Sequence, residues 1–123
     1  MENTRSKDYW TGFRDGFVES MDHPFISRRV ISDDNTFKKA LDREMKIYND
    51  DTGYLFGIQP KIKNREDYAG GLRTGVYAGH VAGIATVGAL NLIAKWCRAV
   101  VRKDLVMQGK YPSAGWEALA EDL

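Results

Sequence analysis

Apolar residues in the first quarter of the chain recur at helical spacing. Tyr9, Trp10, Phe13, Phe17 and Met21 make one stripe, with Gly12 and Gly16 on a neighbouring face. Ser6 has the chemistry of an N-cap, and this helix is predicted to end near Asp22, because the residue before Pro24 is pushed out of the α region. Residues 25–31, which carry Arg28 and Arg29, then read as a short extended connection. A second helix opens at Ser32 or Asp33. Asp33 and Asp34 suit the positive end of the helix dipole, and Phe37, Leu41, Met45 and Tyr48 at i, i+4, i+8 and i+11 draw one apolar stripe. Residues 49–53 are a turn cluster. The brief apolar run 54–58 has no strand to pair with and reads as loop.

Asn64 is the next N-cap, with Glu66 and Asp67 in the first turn, and the pattern permits helix over residues 65–107. A break or kink is expected at Gly88 or Asn91. Beyond it Leu90, Ile93, Ala94, Cys97, Val100 and Val101 form an apolar stripe, with Lys95, Arg98, Arg102 and Lys103 beside it as a basic surface. Gly109 and Pro112 close this region. Ser113 then caps a short helix over 114–122, where Trp116, Leu119 and Ala120 dock locally.

Glycine punctuates the long segment at every fourth position: Gly71, Gly75, Gly79 and Gly83. Each costs about 1 kcal/mol relative to alanine inside a helix, so the row needs compensation from outside, and close approach of another helix backbone supplies it. Gly12 and Gly16 repeat the motif. Residues 8–17 and 67–76 share the pattern Asp-Tyr-x-x-Gly-apolar-Arg-x-Gly-apolar, which is the signature of a duplicated helix-docking unit. Over residues 70–88 the row resembles the glycine-zipper style of packing found in many unrelated membrane and assembly proteins. These six glycines are the expected helix-docking interface, either within one bundle or between chains. Arg14 and Arg73, beside them, are placed to reach a carboxylate or an aromatic ring on a facing helix, with Asp8, Asp15 and Asp67 as available partners.

Residues 76–94 contain no Asp, Glu, Lys or Arg over 19 positions, close to the roughly 20 needed to cross a bilayer. Tyr77 and Trp96 stand where interfacial aromatics would, with the basic cluster on the C-terminal side. This makes a membrane anchor or oligomeric pore element the second reading. His80, Asn91 and the many small residues weaken it.

With 123 residues, 43% hydrophobic, 28% charged and three prolines, the chain is expected to form a single helical domain over 1–123. The formal charge of +1 sets up no global field for nucleic acid or anionic lipid, so any such attraction is local, and nucleic acid is not an expected partner. A polar N-terminus without an apolar run gives no secretory signal, which points to a cytoplasmic or membrane-associated protein.

Candidate chemistry is sparse. His23, His80 and Cys97 have no spacing that defines a triad, and there is no His-x-x-x-His, Cys-x-x-Cys or phosphate-loop pattern. His23 suits the C-terminal end of a helix dipole, His80 suits an interhelical contact with pH sensitivity, and Cys97 an inert core thiol. No catalytic residue, metal or cofactor is expected. The sequence therefore reads as a small all-α bundle with one long glycine-rich helix and two or three shorter ones. Its expected function is non-enzymatic assembly, docking to itself or to a larger complex through glycine-lined helices. The membrane anchor and a small regulatory inhibitor of a partner protein are the alternatives.

Overall fold

Side chains that reach back to otherwise unpartnered backbone N–H groups set the helix starts. In the computed structural model, which describes residues 6–49, 62–85 and 91–102 together with Trp116 and Leu119, five helices follow one another. They are α1 (Lys7–Asp22), α2 (Pro24–Ser32), α3 (Asp34–Asn49), α4 (Arg65–Ala85) and α5 (Asn91–Val101). The fold is all-α, a small helical bundle, with no strand among the described residues. Ser6 Oγ accepts from the Tyr9 N–H at 3.2 Å, and Asn64 Oδ1 from the Asp67 N–H at 3.1 Å. Asp33 accepts from the Thr36 hydroxyl at 2.8 Å and the Asn35 N–H at 3.2 Å, and these bonds hold its carboxyl below the usual range.

Residues 25–31 are helical, which corrects the extended connection read from the sequence. Proline stops the helix before it, yet it also suits the first position of a new one, where its missing N–H has no intrahelical partner to lose. His23, at φ −131° and ψ 67°, is at once the C-cap of α1 and the N-cap of α2. The expected long helix is described as two, α4 and α5, with residues 86–90 outside the described set. The turn and loop at 50–58 also lie outside it, as do Lys103 and the extent of the 114–122 helix. Trp116 and Leu119 are buried.

The fold is organised on α1 and α4, which run parallel. A Cβ on Gly12 would run into the backbone of Tyr68 and Leu72, and one on Gly16 into that of Leu72 and Val76. From the other side Gly71 meets Tyr9 and Phe13, Gly75 meets Phe13, Gly79 meets Phe17, and Gly83 meets Met21. All six glycines named from the sequence thus sit at one intramolecular contact. The two copies of the repeated pattern pack on each other: Gly12 meets Tyr68 and Leu72, the pattern mates of the Tyr9 and Phe13 that Gly71 meets. The helix starts obey the same exchange. Asp67 accepts from Ser6 Oγ at 2.8 Å, while Asp8 accepts from the N–H groups of Lys63 at 3.0 Å and Asn64 at 2.7 Å. This is the isologous logic of a two-fold dimer, realised inside one chain.

The apolar core lies on one side of this pair. Tyr68, Leu72 and Val76 of α4 join Val30 of α2 and the α3 stripe Phe37, Leu41, Met45 and Tyr48. α5 packs on α1.

Two neighbouring glycines separate propensity from packing. A Cβ on Gly70 would lie 3.9 Å from the Tyr9 ring, an ordinary contact, so Gly70→Ala is expected to raise stability by about 0.5–1 kcal/mol. Gly71→Ala forces the two backbones apart and is expected to lower it by about 1–3 kcal/mol. Urea unfolding of both variants checks the opposite signs.

Candidate functional site

The rotation of α1 that seats its glycines on α4 also turns its carboxylates inward. Asp15, Glu19 and Asp22 recur at i, i+4 and i+7, and all three are buried. Asp15 is the hub. Its Oδ2 accepts from the hydroxyls of Tyr48 at 2.6 Å and Tyr68 at 2.9 Å, and its Oδ1 accepts from Arg14 Nε at 3.1 Å. Arg14 Nη2 also donates to Tyr48 Oη at 2.8 Å, so that hydroxyl passes its own proton on to Asp15.

α5 supplies the opposite charge. Arg102 is 1% exposed: its Nη2 donates to Glu44 Oε1 at 2.6 Å, and its Nε lies 3.2 Å from Asp15 Oδ1 as an ion pair without hydrogen-bond alignment. Trp116 Nε1 donates to the other Glu44 oxygen at 3.1 Å, which ties the C-terminal region to the same hub. One turn earlier Arg98 lies 2.6 Å from Asp22 and 3.9 Å from Glu19. Arg98 also approaches His23 Nε2 at 2.9 Å, and Asp22 Oδ2 lies 3.4 Å from the same nitrogen.

This arrangement corrects the basic surface expected at Lys95, Arg98, Arg102 and Lys103. Lys95 is exposed, but Arg98 and Arg102 point into the protein, while Val100 of the expected apolar stripe is exposed, as is Trp96. Sequence reasoning took the apolar stripe of α5 as its inner face. A contrary signal was present in the chain: Asp15, Glu19 and Asp22 form a one-sided acidic ladder, and Arg98 and Arg102 match its spacing.

Burial sets the protonation of this cluster. It pulls the Arg102 guanidinium toward its neutral form, but the charges of Asp15 and Glu44 outweigh that and hold it well above its ordinary value. Burial of Tyr48 and Tyr68, and then the charge of Asp15, push both hydroxyls well above the usual tyrosine range. The Arg102 guanidinium and the two phenols thus hold their protons.

The other named residues have local structural partners. Arg73 stacks over the Phe37 ring at 4.0 Å and lies 3.9 Å from Asp34. His80 Nδ1 is 3.0 Å from Ser27 Oγ and 2.9 Å from the Pro24 carbonyl, which joins α4 to α2. Cys97 is a half-buried free thiol. Among the described residues no cluster of His, Cys, Asp and Glu could hold a metal ion. None of the helices among those residues is long and apolar enough to cross a membrane. The span read over 76–94 divides between α4 and α5, and its Val76, Gly79 and Gly83 are buried.

Among the described residues the outer side of the α1–α4 pair is one exposed apolar surface, besides Phe25 on α2 and Trp96 and Val100 on α5. Trp10 is 54% exposed and Phe13 and Phe17 are half-buried. Their rings form a chain with Tyr9: Tyr9 to Trp10 at 5.1 Å, Trp10 to Phe13 at 5.6 Å, Phe13 to Phe17 at 6.1 Å. On α4 the exposed Gly70 lies against the Tyr9 ring, and Val81 is exposed. Lys7, Trp10, Thr11 and Arg14 line a shallow depression of about 350 Å³ at the N-terminal end. A second, apolar cleft of about 320 Å³ between α4 and the α2–α3 side is lined by Ile31, Phe37, Arg73, Thr74, Val76 and Tyr77. Compared with protein-family models, curated protein sequences and solved structures, the chain matches none.

Arg102→Met removes the cation bonded to buried Glu44 and leaves Asp15 with Arg14, and is expected to cost about 3–5 kcal/mol. Adding Glu44→Gln is expected to recover part of that loss, a coupling that a double-mutant cycle by urea unfolding measures. Alkaline pH probes the tyrosines. Their folded-state proton affinity is raised, so the unfolded chain releases these protons first. Stability is then intact below pH about 10 and falls above it, by about 1.4 kcal/mol per pH unit for each tyrosine. Tyr48→Phe is expected to remove one tyrosine's share of that slope in urea midpoints measured against pH.

Proposed function

We propose that this chain is a non-enzymatic helical accessory protein that docks, to a copy of itself or to a larger assembly, through the outer side of the α1–α4 pair. One observation carries the reading. α1 turns its carboxylates inward and its aromatic ridge outward, the reverse of the arrangement that burial of apolar surface favours. A ridge of aromatic rings left partly exposed is a surface that receives another one.

Two further features support it. The titratable cluster around Asp15 has its charges and hydrogen bonds directed at one another, and its Asp15, Glu44 and Arg102 have almost no exposure through which a substrate could reach them. The small-residue faces named from the sequence are filled by α1 and α4 themselves, so docking falls to the surface beside them. An inhibitor acting through Arg98 and Arg102 has less support, since both side chains face carboxylates inside the protein.

A photo-crosslinking amino acid placed at Phe13 in living cells is expected to form adducts with a protein or a lipid. The same residue placed at the exposed Lys38 of α3 is expected not to. Equal yields from the two positions, or none from Phe13, would refute docking through this face.

A further inference from the structure

Among the described residues, the exposed charges that α1 sets beside the outer aromatic ridge are cations, and the half-buried Asp67 of α4 is held by Ser6 at the N-terminal end. Every carboxylate of α1 is withdrawn from the ridge: Asp8 holds the N–H groups that open α4, and Asp15, Glu19 and Asp22 are buried. The exposed charges of α1 are therefore Lys7 and Arg14, one turn to either side of Trp10. On α4, Arg73 is directed toward α3, stacked over Phe37 and 3.9 Å from Asp34. α2 repeats the combination, with Phe25 84% exposed, Arg28 and Arg29 exposed, and no acid in the helix. Exposed acids lie elsewhere, as Asp33, Asp34 and Asp42 in and before α3 and Glu66 in the first turn of α4.

We infer that the occupant of the outer α1–α4 face is the surface of an anionic phospholipid bilayer, with Trp10, Phe13 and Phe17 entering the interfacial zone and Lys7 and Arg14 meeting lipid phosphates. The inference rests on the docking face of the reading above and sets a bilayer in place of a protein as its occupant. Trp and Phe on one side of a helix with Lys and Arg at its margin is the composition of helices that lie in the headgroup region without spanning it. Tryptophan suits that zone because its ring is apolar and its N–H still finds water or a headgroup oxygen. Lys7, Thr11 and Arg14 around Trp10 line the shallow depression, where a headgroup phosphate is offered the Lys7 ammonium and the part of the Arg14 guanidinium that stays exposed, beside an apolar ring. The net charge of +1 is no obstacle, because among the described acids Asp15, Glu19, Asp22 and Glu44 are inside the protein and Asp33, Asp34 and Asp42 stand in or before α3.

Sedimentation of the purified full chain with vesicles tests this, using phosphatidylcholine alone and phosphatidylcholine mixed with phosphatidylglycerol. The chain is expected to sediment with the anionic vesicles and to stay in solution with the zwitterionic ones. Trp10→Ala is expected to weaken partition roughly tenfold or more, and Lys7→Gln about fivefold. Both residues are exposed, so circular dichroism is expected to show unchanged helix content. Trp96→Ala, on the side of α5 turned away from α1, is expected to bind like the unmodified chain. Failure to sediment with anionic vesicles overturns the inference, and so does undiminished binding by Trp10→Ala. If light scattering instead shows a dimer that Trp10→Ala dissolves, with no vesicle binding, the face belongs to a second copy. The lipid assignment then falls while docking through this face stands.

Discussion

Contact between the backbones of α1 and α4 decides the rotation of α1, and with it the side of that helix that sees water. Gly12 and Gly16 on one helix and Gly71, Gly75, Gly79 and Gly83 on the other allow each chain to lie against the carbonyls of its partner. Once that face is fixed, the remaining faces of α1 have no freedom of placement. The acidic ladder is carried under the pair toward α3 and α5, and the aromatic ridge is carried over it. Without the glycine contact, a helix with this sequence would bury Trp10, Phe13 and Phe17 and leave Asp15, Glu19 and Asp22 in water.

Inward carboxylates are costly unless they are paired, and the rest of the bundle is arranged around that requirement. Arg98 and Arg102 draw α5 onto α1, Tyr48 and Tyr68 bring hydroxyls from α3 and α4 to the same carboxylate, and Glu44 extends the network to Trp116. Leu72, Val76, Leu41 and Val30 fill the adjacent apolar core. Apolar burial and ionic pairing thus occupy neighbouring compartments of one small interior. The ionic one is the more demanding in geometry, because each oxygen and each guanidinium nitrogen needs a partner at a set distance and direction.

Much of the fold was legible in the chain because the signals are local. Ser6, Asp33 and Asn64 cap helices as their chemistry suggests, and Phe37, Leu41, Met45 and Tyr48 are buried together as their spacing implies. The repeated Asp-Tyr-x-x-Gly pattern was visible too, and its meaning is a parallel pair of its two copies. α2 was missed because Pro24 was weighed as a terminator alone. The inner face of α5 was missed for a deeper reason: hydropathy assigns apolar stripes inward, and here a neighbouring helix had already committed its charges to the interior. Whether an arginine is inside depends on the carboxylate that meets it, and Asp15 and Arg102 are brought together by tertiary structure alone.

The spacing of the two paired helices along the chain bears on how the bundle forms. α4 carries five glycines and α1 two, so neither helix holds together well in water before it has a neighbour. That neighbour lies about sixty residues away in sequence, across α2 and α3, so a long loop must close before either glycine face gains anything. Helical proteins usually fold fast because their contacts are local. In this chain the decisive contact is distant, so the two helices are expected to form as they meet, in a single cooperative event closer in character to the pairing of remote β-strands than to the zipping of a local helical hairpin.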